Sequence, residues 1–445
     1  MRAHGARDRP FLRLERGFAM VGSSFRVMVI GGGIGGLCLA QGLKKAGVPV
    51  SVFERDQTPT SRLQGYRIHV SPRGASALRE CLPEGLWSAF EASCGRARHS
   101  FRFLTHRMQE LLRVATPGDA PGGRHYSASR ARLRQALLEG LDGILHFDRA
   151  FSRYEEEPDG PIRAFFDDGR TAEGNVLVGA DGGKSRVRNQ FLPGAQRVDT
   201  GIRAIGGKVI LTDEVRSKLP PALLESPALV RAPGGRAMFL AVQEIGGPDG
   251  SVLEGDAALR FEDESSYLMW ALSARGDRSG FPSTHGEMSD EELRAFALRA
   301  CSGWHPGFSA MIQSSDPASL SVIAVRTSVP VSPWPTGRIT LIGDAIHSMT
   351  PYRGIGGNVA LRDAALLSHN LTAAHRAEIP LPLAIRDYES AMLDYGFRAV
   401  RSSLRAAEQA HTTGTLAFRL GNLAFRALNA IPPLKARILR QVDAD

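Results

Sequence analysis

The chain has 445 residues, of which 43% are hydrophobic and 23% are charged, and its formal net charge is +9. This length and balance are typical of a globular chain of about three domains. No apolar run reaches the ~18 residues of a membrane-spanning helix, and the basic excess is diffuse and has no nucleic-acid motif beside it. Composition therefore argues against a membrane span and against nucleic-acid binding.

The four cysteines are scattered through the chain without metal-like spacing, so we expect no metal site. Such cysteine usage is typical of a reducing cytoplasm rather than of a disulfide framework. Residues 1–24 are basic but have no continuous apolar core, so they do not match a secretory signal. We interpret them as a disordered extension, with Met20 as an alternative start.

The first predicted unit is a strand over 25–30, a glycine-rich turn, a helix over 37–46 and a second strand over 48–53. The turn contains Gly31, Gly33, Ile34, Gly35 and Gly36. A Gly-x-Gly-x-x-Gly turn between strand and helix is the fingerprint of a dinucleotide site. Its glycines permit the tight turn, the approach of the backbone to a pyrophosphate and close packing of helix on strand.

The second strand is followed by Glu54 and Arg55. An acid at the position of Glu54 is expected to accept hydrogen bonds from the adenosine ribose. It disfavours a 2′-phosphate there, so the site suits FAD or NAD better than NADP. We therefore predict that Glu54 and Arg55 contact the cofactor.

The segment 126–130 precedes Leu133, Leu137 and Leu138, which lie at helical spacing, so Arg130 would begin a predicted helix. Arg130 is then either a contact of the cofactor phosphates or ribityl chain, or a solvated arginine at a helix start.

A second glycine-containing signature follows a predicted buried strand over 176–178 and includes Asp181 and Gly182. Ligands of open α/β sheets lie at this carboxyl edge of the strands.

Residues 200–325 contain no nucleotide motif. Strand-like segments alternate with loops, and a capping box at Ser289 starts a helix that runs to about Ala300. We predict a mostly antiparallel sheet with a helix, inserted between two parts of the cofactor domain. Candidate pocket residues on this sheet are Met238, Tyr267, Met269 and Trp270, although such residues at strand spacing are also typical of plain core.

The third signature follows a predicted strand over 338–342. Its candidate cofactor residues are Gly343, Asp344, Pro351, Gly354, Gly356, Gly357 and Asn358. Beyond it we predict a helix from Asn358 to about Ala374, then a largely helical region over 376–445, interrupted at Gly421 and at Pro432-Pro433. We expect these C-terminal helices to pack on the first domain or a second subunit rather than on a membrane.

In their order and spacing the three signatures resemble the class A flavoprotein monooxygenases, whose type is p-hydroxybenzoate hydroxylase. The resemblance covers about residues 25–375. It implies an α/β fold in which a Rossmann-like FAD-binding domain, with the three-layer ββα arrangement of glutathione reductase, carries an inserted substrate domain and C-terminal helices. The domain ranges that follow are 25–199 with 326–375 for FAD, 200–325 for substrate and 376–445 for the helical region.

The resemblance also implies roles for single residues. Asp181 and Gly182 match a motif associated with FAD and the nicotinamide reductant, and Asp344 matches the aspartate that holds a ribityl hydroxyl. Pro351 and the loop 354–358 match the segment beside the isoalloxazine ring. A helix starting near Gly357 would point its N–H groups at the pyrimidine edge of the ring, where reduced flavin carries negative charge.

The reaction that the resemblance implies uses NADPH or NADH to reduce FAD, after which O2 adds to form a flavin C4a-hydroperoxide. One oxygen atom then passes to a hydrophobic, aromatic or polycyclic small molecule, by hydroxylation or epoxidation. A role in secondary metabolism, a cytoplasmic location and a monomer or homodimer are the accompanying expectations. His347 is the candidate acid–base residue, and its alternative role is to orient the loop.

Two other functions share this fold. A flavin-dependent reductase or saturase of an isoprenoid-like substrate would keep the cofactor and use O2 unproductively, whereas a non-catalytic binding protein would keep the dinucleotide fold as a scaffold. Flavin-dependent halogenases also share it, but the four tryptophans never form their Trp-x-Trp-x-Ile motif. The intact third signature favours the monooxygenase over the scaffold.

Overall fold

The computed structural model describes residues 25–431, except 60, 62–66, 96–99, 116–122, 159, 246–264, 277–279, 283 and 285. The predicted extension over 1–24 and the end of the predicted helical region, including Pro432-Pro433, lie outside the described residues. The strands are β1 Val27–Ile30, β2 Val50–Phe53, β3 Arg67–Val70, β4 Ser100–Thr105, β5 Glu110–Ala115, β6 Tyr126–Ser129, β7 Leu145–His146, β8 Phe151–Glu156, β9 Ile162–Phe166, β10 Thr171–Gly174, β11 Val176–Gly179, β12 Arg197–Ile210, β13 Ala228–Ala232, β14 Arg236–Gln243, β15 Tyr267–Arg275, β16 Ser321–Ser328 and β17 Ile339–Leu341. The helices are α1 Ile34–Lys45, α2 Pro72–Cys81, α3 Glu84–Ser93, α4 Arg130–Leu138, α5 Arg186–Phe191, α6 Asp213–Lys218, α7 Pro221–Leu224, α8 Asp290–Ala300, α9 Pro306–Gln313, α10 Asp344–His347, α11 Gly356–His375, α12 Leu381–Ala410 and α13 Thr415–Ala430.

A five-stranded parallel sheet, ordered β17-β11-β1-β2-β7, forms the centre of the first half of the fold. Every residue of β1, β11 and β17 is buried, as expected of parallel strands covered on both faces. The three strands that the glycine signatures follow are therefore neighbours, and the predicted Rossmann-like α/β fold is confirmed.

The first glycine turn shows why glycine is required at two of its positions. Gly31 has φ +110°, and a Cβ there would lie 2.4 Å from the carbonyl oxygen of Ala180 on the neighbouring strand. A Cβ on Gly36, in the first turn of α1, would lie 2.1 Å from the carbonyl oxygen of Gly31. The helix therefore packs on the strand at a distance that excludes a side chain, as the sequence predicted.

A seven-stranded sheet, ordered β16-β12-β15-β14-β13-β4-β5, forms the second half of the fold. It is antiparallel except where β13 pairs in parallel with β4. The predicted domain boundaries need correction here, because β4 and β5 come from the range 100–115, which we had placed in the FAD domain. Strand β12 also begins before residue 200, at Arg197, and β16 ends after residue 325.

Each sheet has its own core. The parallel sheet packs with α1, α2, α4, α11 and α12 around the buried β1 and β11. One face of the seven-stranded sheet packs on α8 and α9, where Trp270 is 1% exposed and donates from Nε1 to Ser315 Oγ at 2.8 Å. The capping box of Ser289 with Glu292 starts α8 as predicted. The opposite face of this sheet is consequently free to line a cavity.

The C-terminal helices pack on both sheets. Helix α12 lies against α11, and α13 lies against β5, with Phe425 stacked on Phe103 at 4.7 Å between ring centroids. The predicted interruption at Gly421 is wrong: Gly421 lies within α13, where a Cβ would be 3.3 Å from the guanidinium of Arg231. Within the described residues, none of the helices has the length and apolar character that crossing a membrane requires.

Arg231 anchors α13 to the sheet. It is 4% exposed on β13, donates from Nη1 to Asn422 Oδ1 at 2.6 Å and lies over the rings of Phe418 and Phe425. Since charged hydrogen bonds and cation–π contacts are each worth about 1–3 kcal/mol when buried, we expect Arg231→Ala to lower the free energy of unfolding by about 2–4 kcal/mol. Urea denaturation measures the loss.

A matched control is Arg203→Ala, which removes a partly exposed ion pair with Asp199 on β12 and should cost less than about 1 kcal/mol. In Arg231→Ala, limited proteolysis should cut the connection 411–414 and release α13. Equal stabilities of the two variants would show that Arg231 does not hold α13.

Candidate functional site

The three glycine signatures meet at the carboxyl edge of the parallel sheet. They follow β1, β11 and β17, which are adjacent strands with the same direction. The carboxyl ends of adjacent parallel strands form the crevice in which open α/β sheets bind ligands. Here the crevice opens into a cavity of ≈ 910 Å³ that also reaches the free face of the seven-stranded sheet.

Most of the predicted cofactor residues line this cavity. They are Gly31, Gly33, Ile34, Gly35, Gly36, Glu54, Arg55, Arg130, Asp181, Gly182, Gly343, Asp344, Pro351, Gly354, Gly356 and Gly357. Asn358 does not line it, because its side chain is turned into the fold. Its Oδ1 accepts from Ser71 N at 2.8 Å and its Nδ2 donates to His69 O at 2.8 Å, so it ties α11 to β3 and α2.

The first turn fits a dinucleotide in its local geometry. Gly33 caps α1, and a Cβ built there meets no protein atom within 4 Å, although Gly33 lines the cavity. The glycine therefore keeps open a space that the protein itself does not fill. The free N–H groups of the α1 N-terminus are directed to this space and suit a phosphate.

Asp181 supplies a second indication of fit. Its Oδ2 accepts from Arg186 N at 2.7 Å and Val187 N at 3.3 Å. Among the described residues its Oδ1 has no hydrogen-bond partner, although the atom is buried. Burial raises the pKa of Asp181, partly offset by hydrogen bonds from Ser185 and backbone N–H groups. A buried acceptor without a partner is costly, and a hydroxyl of a bound cofactor is a suitable donor for it.

Glu54 is held in place by the backbone. It is 6% exposed, its Oε2 accepts from Gly32 N at 2.7 Å, and its Oε1 accepts from Asp56 N at 2.9 Å. Each carboxylate oxygen can accept more than one bond, so Glu54 can still receive a ribose hydroxyl at the cavity. It also stabilises the glycine turn itself, a role that the sequence did not predict.

The cavity is electropositive on the side of the glycine turns. Among the residues that the structure describes, its lining holds nine arginine and lysine side chains against four carboxylates. The cations are Arg55, Arg67, Arg130, Arg134, Arg149, Lys184, Arg186, Arg197 and Arg353, and the acids are Glu54, Asp56, Asp181 and Asp344. This excess suits an anionic dinucleotide and an anionic reductant.

Arg134 is a cavity residue that the sequence analysis missed. It follows Arg130 by one helical turn on α4 and donates to Gly32 O. The i, i+4 spacing of the two arginines could have predicted that both lie on the same face of the helix.

His347, the candidate acid–base residue, is placed elsewhere. It is fully buried, does not line the cavity, and its Nε2 lies 2.6 Å from Asp363 Oδ2. The same Oδ2 accepts from Gly343 N at 2.7 Å, and Asp363 Oδ1 accepts from Tyr395 OH at 2.6 Å. Of the two roles considered for His347, these contacts favour the alternative, orientation of the third signature, over acid–base chemistry.

The pKa of His347 shifts upward overall. Burial lowers it, but the attraction of Asp363 and their hydrogen bond raise it by more. A histidine whose pKa is raised in the folded state is stabilised as the cation beside its carboxylate. The pair is thus a buried hydrogen-bonded contact between α10 and α11.

The free face of the seven-stranded sheet forms the apolar wall of the cavity. On β15 the residues that line it are Met269, Ala271 and Ser273, at the period of two that a strand requires. Met238 and Trp270 point to the other face, into the core with α8 and α9, and Tyr267 does not line the cavity. Of the four predicted pocket residues, only Met269 is on the wall.

Several wall residues were missed by the sequence reasoning. Phe239 on β14 lines the cavity next to Ala271, its partner in register, and Phe101 on β4 stacks near Phe239 at 6.4 Å. The sequence shows that side chains on β14 and β15 alternate between two faces of the sheet. Which of these faces meets the cofactor depends on the helices that pack against the other one. Ser273 and Tyr352 add hydroxyl groups to the same cavity.

Two protein families match parts of this chain. An FAD binding domain family matches residues 279–400, and an NAD(P)-binding Rossmann-like domain family matches residues 29–89. A 3-amino-4-hydroxybenzoate 2-monooxygenase of Streptomyces platensis is 31% identical over 377 residues, which is 83% of this chain and 84% of the relative.

Two further matches extend the comparison. A dual O-methyltransferase/FAD-dependent monooxygenase of Phaeosphaeria nodorum is 33% identical over 77% of this chain, and the match covers 39% of that relative. The chain thus spans about two fifths of the length of the dual enzymes that it matches. A solved structure from Photorhabdus luminescens, assigned as an FAD-containing monooxygenase, has 34% identity and a TM-score of 0.78 over 87% of this chain and 99% of that one.

We expect Gly33→Val to abolish FAD retention without unfolding the protein. An added Cβ meets no protein atom within 4 Å, but the valine side chain occupies the space beside the helix terminus, and such overlap costs roughly 3 kcal/mol or about 100-fold in affinity. The flavin-to-protein ratio after purification measures the loss. The control Gly85→Val lies exposed on α3, where a Cβ also meets nothing. A fully yellow Gly33→Val protein would place the pyrophosphate elsewhere.

We expect Asp363→Ala to lower the free energy of unfolding by about 3–5 kcal/mol, because it leaves three buried groups, Gly343 N, His347 Nε2 and Tyr395 OH, without their acceptor. FAD affinity should fall with it, since Gly343 N loses its partner. Chemical denaturation and a flavin titration measure the two losses. Tyr395→Phe, which removes one donor and keeps the ion pair, should cost only about 1 kcal/mol.

The contribution of His347 to stability should depend on pH. Since its pKa is raised on folding, the contribution is fully present below the unfolded value near 6.5 and is lost as the pH rises through the folded value. Urea denaturation of wild type and His347→Gln across this range should give a difference that shrinks toward alkaline pH. A difference that grows with pH would contradict the ionic pair.

Proposed function

This chain belongs to the FAD-dependent monooxygenases, and we propose that it uses FAD, NADH or NADPH, and O2 to insert one oxygen atom into a hydrophobic aromatic or polycyclic molecule. The observation that carries the proposal is the single cavity that joins the three glycine turns to the apolar face of the seven-stranded sheet. It brings a cofactor site and a substrate wall into one space. The named relatives, all monooxygenases, favour this function over a reductase or a scaffold.

FAD, when bound, supplies the redox chemistry between the nicotinamide, O2 and the substrate. The balanced reaction consumes one O2, one NAD(P)H and one proton, and it yields the oxygenated product, water and NAD(P)⁺. The protein's residues bind, orient and shield the reactants. The α1 N-terminus with Arg130 and Arg134 suits the pyrophosphate, while Asp181 and Asp344 suit hydroxyl groups of the cofactor.

The N-terminus of α11 lies at the cavity. Gly356 and Gly357 begin this helix and line the cavity. A helix N-terminus stabilises an adjacent anion by roughly 0.3–2 kcal/mol. We infer that it favours the negative charge of a reduced flavin edge. On the wall formed by the seven-stranded sheet, Phe239 and Met269 present apolar surface that excludes water from the reacting centre.

The proposal extends to the setting of the enzyme. A relative from S. platensis is named for the oxygenation of 3-amino-4-hydroxybenzoate, and the dual relatives from fungi are named as FAD-dependent monooxygenases. We infer an aromatic substrate of secondary metabolism. All four cysteines are free thiols, which supports a cytoplasmic location, and we expect a monomer or homodimer.

The test is to supply the FAD-loaded protein with NADH or NADPH, isotopically labelled O2 and a panel of phenolic, indolic, polycyclic and terpenoid compounds. A substrate should accelerate nicotinamide oxidation and give a product heavier by one labelled oxygen atom. Flavin reduction without oxygen transfer to any compound would favour a reductase. Failure to bind flavin would favour the scaffold.

For a compound that is oxygenated, we expect Ala271→Leu to lower kcat/KM by about tenfold or more, because the larger side chain extends into the substrate side of the cavity. FAD content should be unchanged. The control Leu272→Met alters the next residue, which faces the opposite core, and should change kcat/KM less than twofold. Equal effects of both variants would show that β15 does not present Ala271 to the substrate.

A further inference from the structure

Helix α13 leaves one apolar face open to solvent. Its inner side packs on β5. The opposite side carries Leu416, Leu420 and Leu423, which are 71%, 57% and 62% exposed, and Ile431, directly after the helix, is 47% exposed. Among the residues that the structure describes, these three leucines are the most exposed of the large hydrophobic side chains. A contiguous set of apolar side chains held in water marks an interaction surface.

The three leucines form one continuous row, which we call the leucine row. Their i, i+4, i+7 spacing places them along a single line of the helix. The exposed residues beside them on this side are alanines, at positions 417, 424 and 427. The row therefore offers aliphatic surface without an aromatic or hydrogen-bonding side chain. Because Arg231 holds the inner side of α13 to the sheet, the row stays directed outward.

The chain around the leucine row is basic. Residues 409–442 contain no aspartate or glutamate, whereas they contain Arg419, Arg426, Lys435, Arg437 and Arg440. Arg419 and Arg426 are exposed on α13, each three residues after a leucine of the row, so both lie on one flank of it. An apolar row with cationic side chains beside it matches the boundary of an anionic bilayer, where acyl chains lie beneath phosphates.

A second copy of the chain fits the leucine row less well. A stable dimer buries about 800 Å² on each partner, from roughly 20–30 residues, whereas this row is a line of small and medium aliphatic side chains on a single convex helix. Helix α13 also supplies no acid that could pair with Arg419 and Arg426 of another copy. A bilayer demands neither an opposing groove nor a matching carboxylate.

We propose that the leucine row of α13 docks on a lipid bilayer with anionic head groups. The leucines enter the boundary of the acyl chains, Arg419 and Arg426 contact lipid phosphates, and the helix lies along the surface instead of crossing it. This proposal revises the expectation that the C-terminal helices pack on protein rather than on a membrane. The inner face of α13 packs on β5, and its outer face meets lipid.

The position of α13 gives the docking a use, and this consequence alone rests on the proposed function. Phe425 on α13 stacks on Phe103, whose ring lies 5.3 Å from that of Phe101 between centroids. Phe101 in turn lines the cavity together with Phe239. Helix α13 thus covers the part of the sheet that continues into the apolar wall, so a substrate dissolved in the bilayer is concentrated beside the substrate side of the enzyme.

Docking is tested by sedimentation of the full-length, FAD-loaded protein with vesicles of phosphatidylglycerol and phosphatidylcholine, and with vesicles of phosphatidylcholine alone. Wild type should bind the anionic vesicles at low salt, and high salt should weaken this binding by about tenfold. The triple variant Leu416→Gln, Leu420→Gln, Leu423→Gln should lower the binding by at least about tenfold, because it removes the apolar surface that enters the bilayer. Its FAD content should be unchanged, since these side chains are exposed.

The charged flank is tested separately. The double variant Arg419→Gln, Arg426→Gln should lower binding to the anionic vesicles by about tenfold, because each arginine near an anionic surface contributes to attraction. Binding to the phosphatidylcholine vesicles should change less than twofold. An equal loss on both kinds of vesicle would contradict the contact with anionic head groups.

The matched control is the double variant Val198→Gln, Val329→Gln, which removes exposed hydrophobic side chains outside α13. It should bind vesicles as wild type does. Wild type that does not bind anionic vesicles, or a leucine variant that binds as well as wild type, would overturn the proposal. A wild-type dimer that becomes a monomer in the leucine variant, without vesicle binding, would assign the row to a second copy.

The remaining occupant is the end of the chain. Vesicle binding by a protein truncated after Ile431, but not by the full chain, would show that residues 432–445 cover the leucine row, which also overturns the proposal. None of these outcomes alters FAD binding or oxygen transfer in solution. Failure of the docking is therefore distinguishable from failure of the proposed function.

Discussion

The carboxylate of Asp363 is the contact on which the cofactor side of the cavity depends. It lies fully buried on α11 and accepts from Gly343 N, His347 Nε2 and Tyr395 OH, all within 2.7 Å. A buried carboxylate is tolerated only when it is paired and hydrogen-bonded. Because three donors satisfy the Asp363 carboxylate, it fixes the third signature, α10, α11 and α12 relative to one another. Asp344 and the loop after it are thereby placed at the cavity.

Helix α12 extends this constraint to the substrate side. Tyr395 bonds Asp363 near the middle of the helix, and Thr350 Oγ1 donates to Ser403 O at 2.7 Å further along. At its end His411 accepts from Tyr352. The seventeen residues from Tyr395 to His411 span roughly 24 Å of helix. One helix thus holds both the third signature and Tyr352, which line the same cavity.

The two sides of the cavity have opposite chemical character for a physical reason. The carboxyl edge of a parallel sheet presents backbone N–H groups and helix termini, which suit phosphates and anions. The free face of an antiparallel sheet presents side chains in alternation, so one set can be wholly apolar while the other fills a core. Joining the two produces a space that suits a charged cofactor on one side and, as we propose, a hydrophobic substrate on the other.

By itself, the sequence determined the local features that depend on short spacing: the three glycine turns, the capping box of α8, the strands β1 and β11 and the start of α4 at Arg130. Each of these follows from backbone sterics or hydrogen bonding within a few residues. Only the tertiary structure decided that β4 and β5 join the seven-stranded sheet, that Met269 rather than Trp270 faces the cavity, and that Tyr352 meets His411. Those outcomes depend on pairings between residues far apart in the chain, since register and the choice of buried face are settled when strands and helices pack against each other.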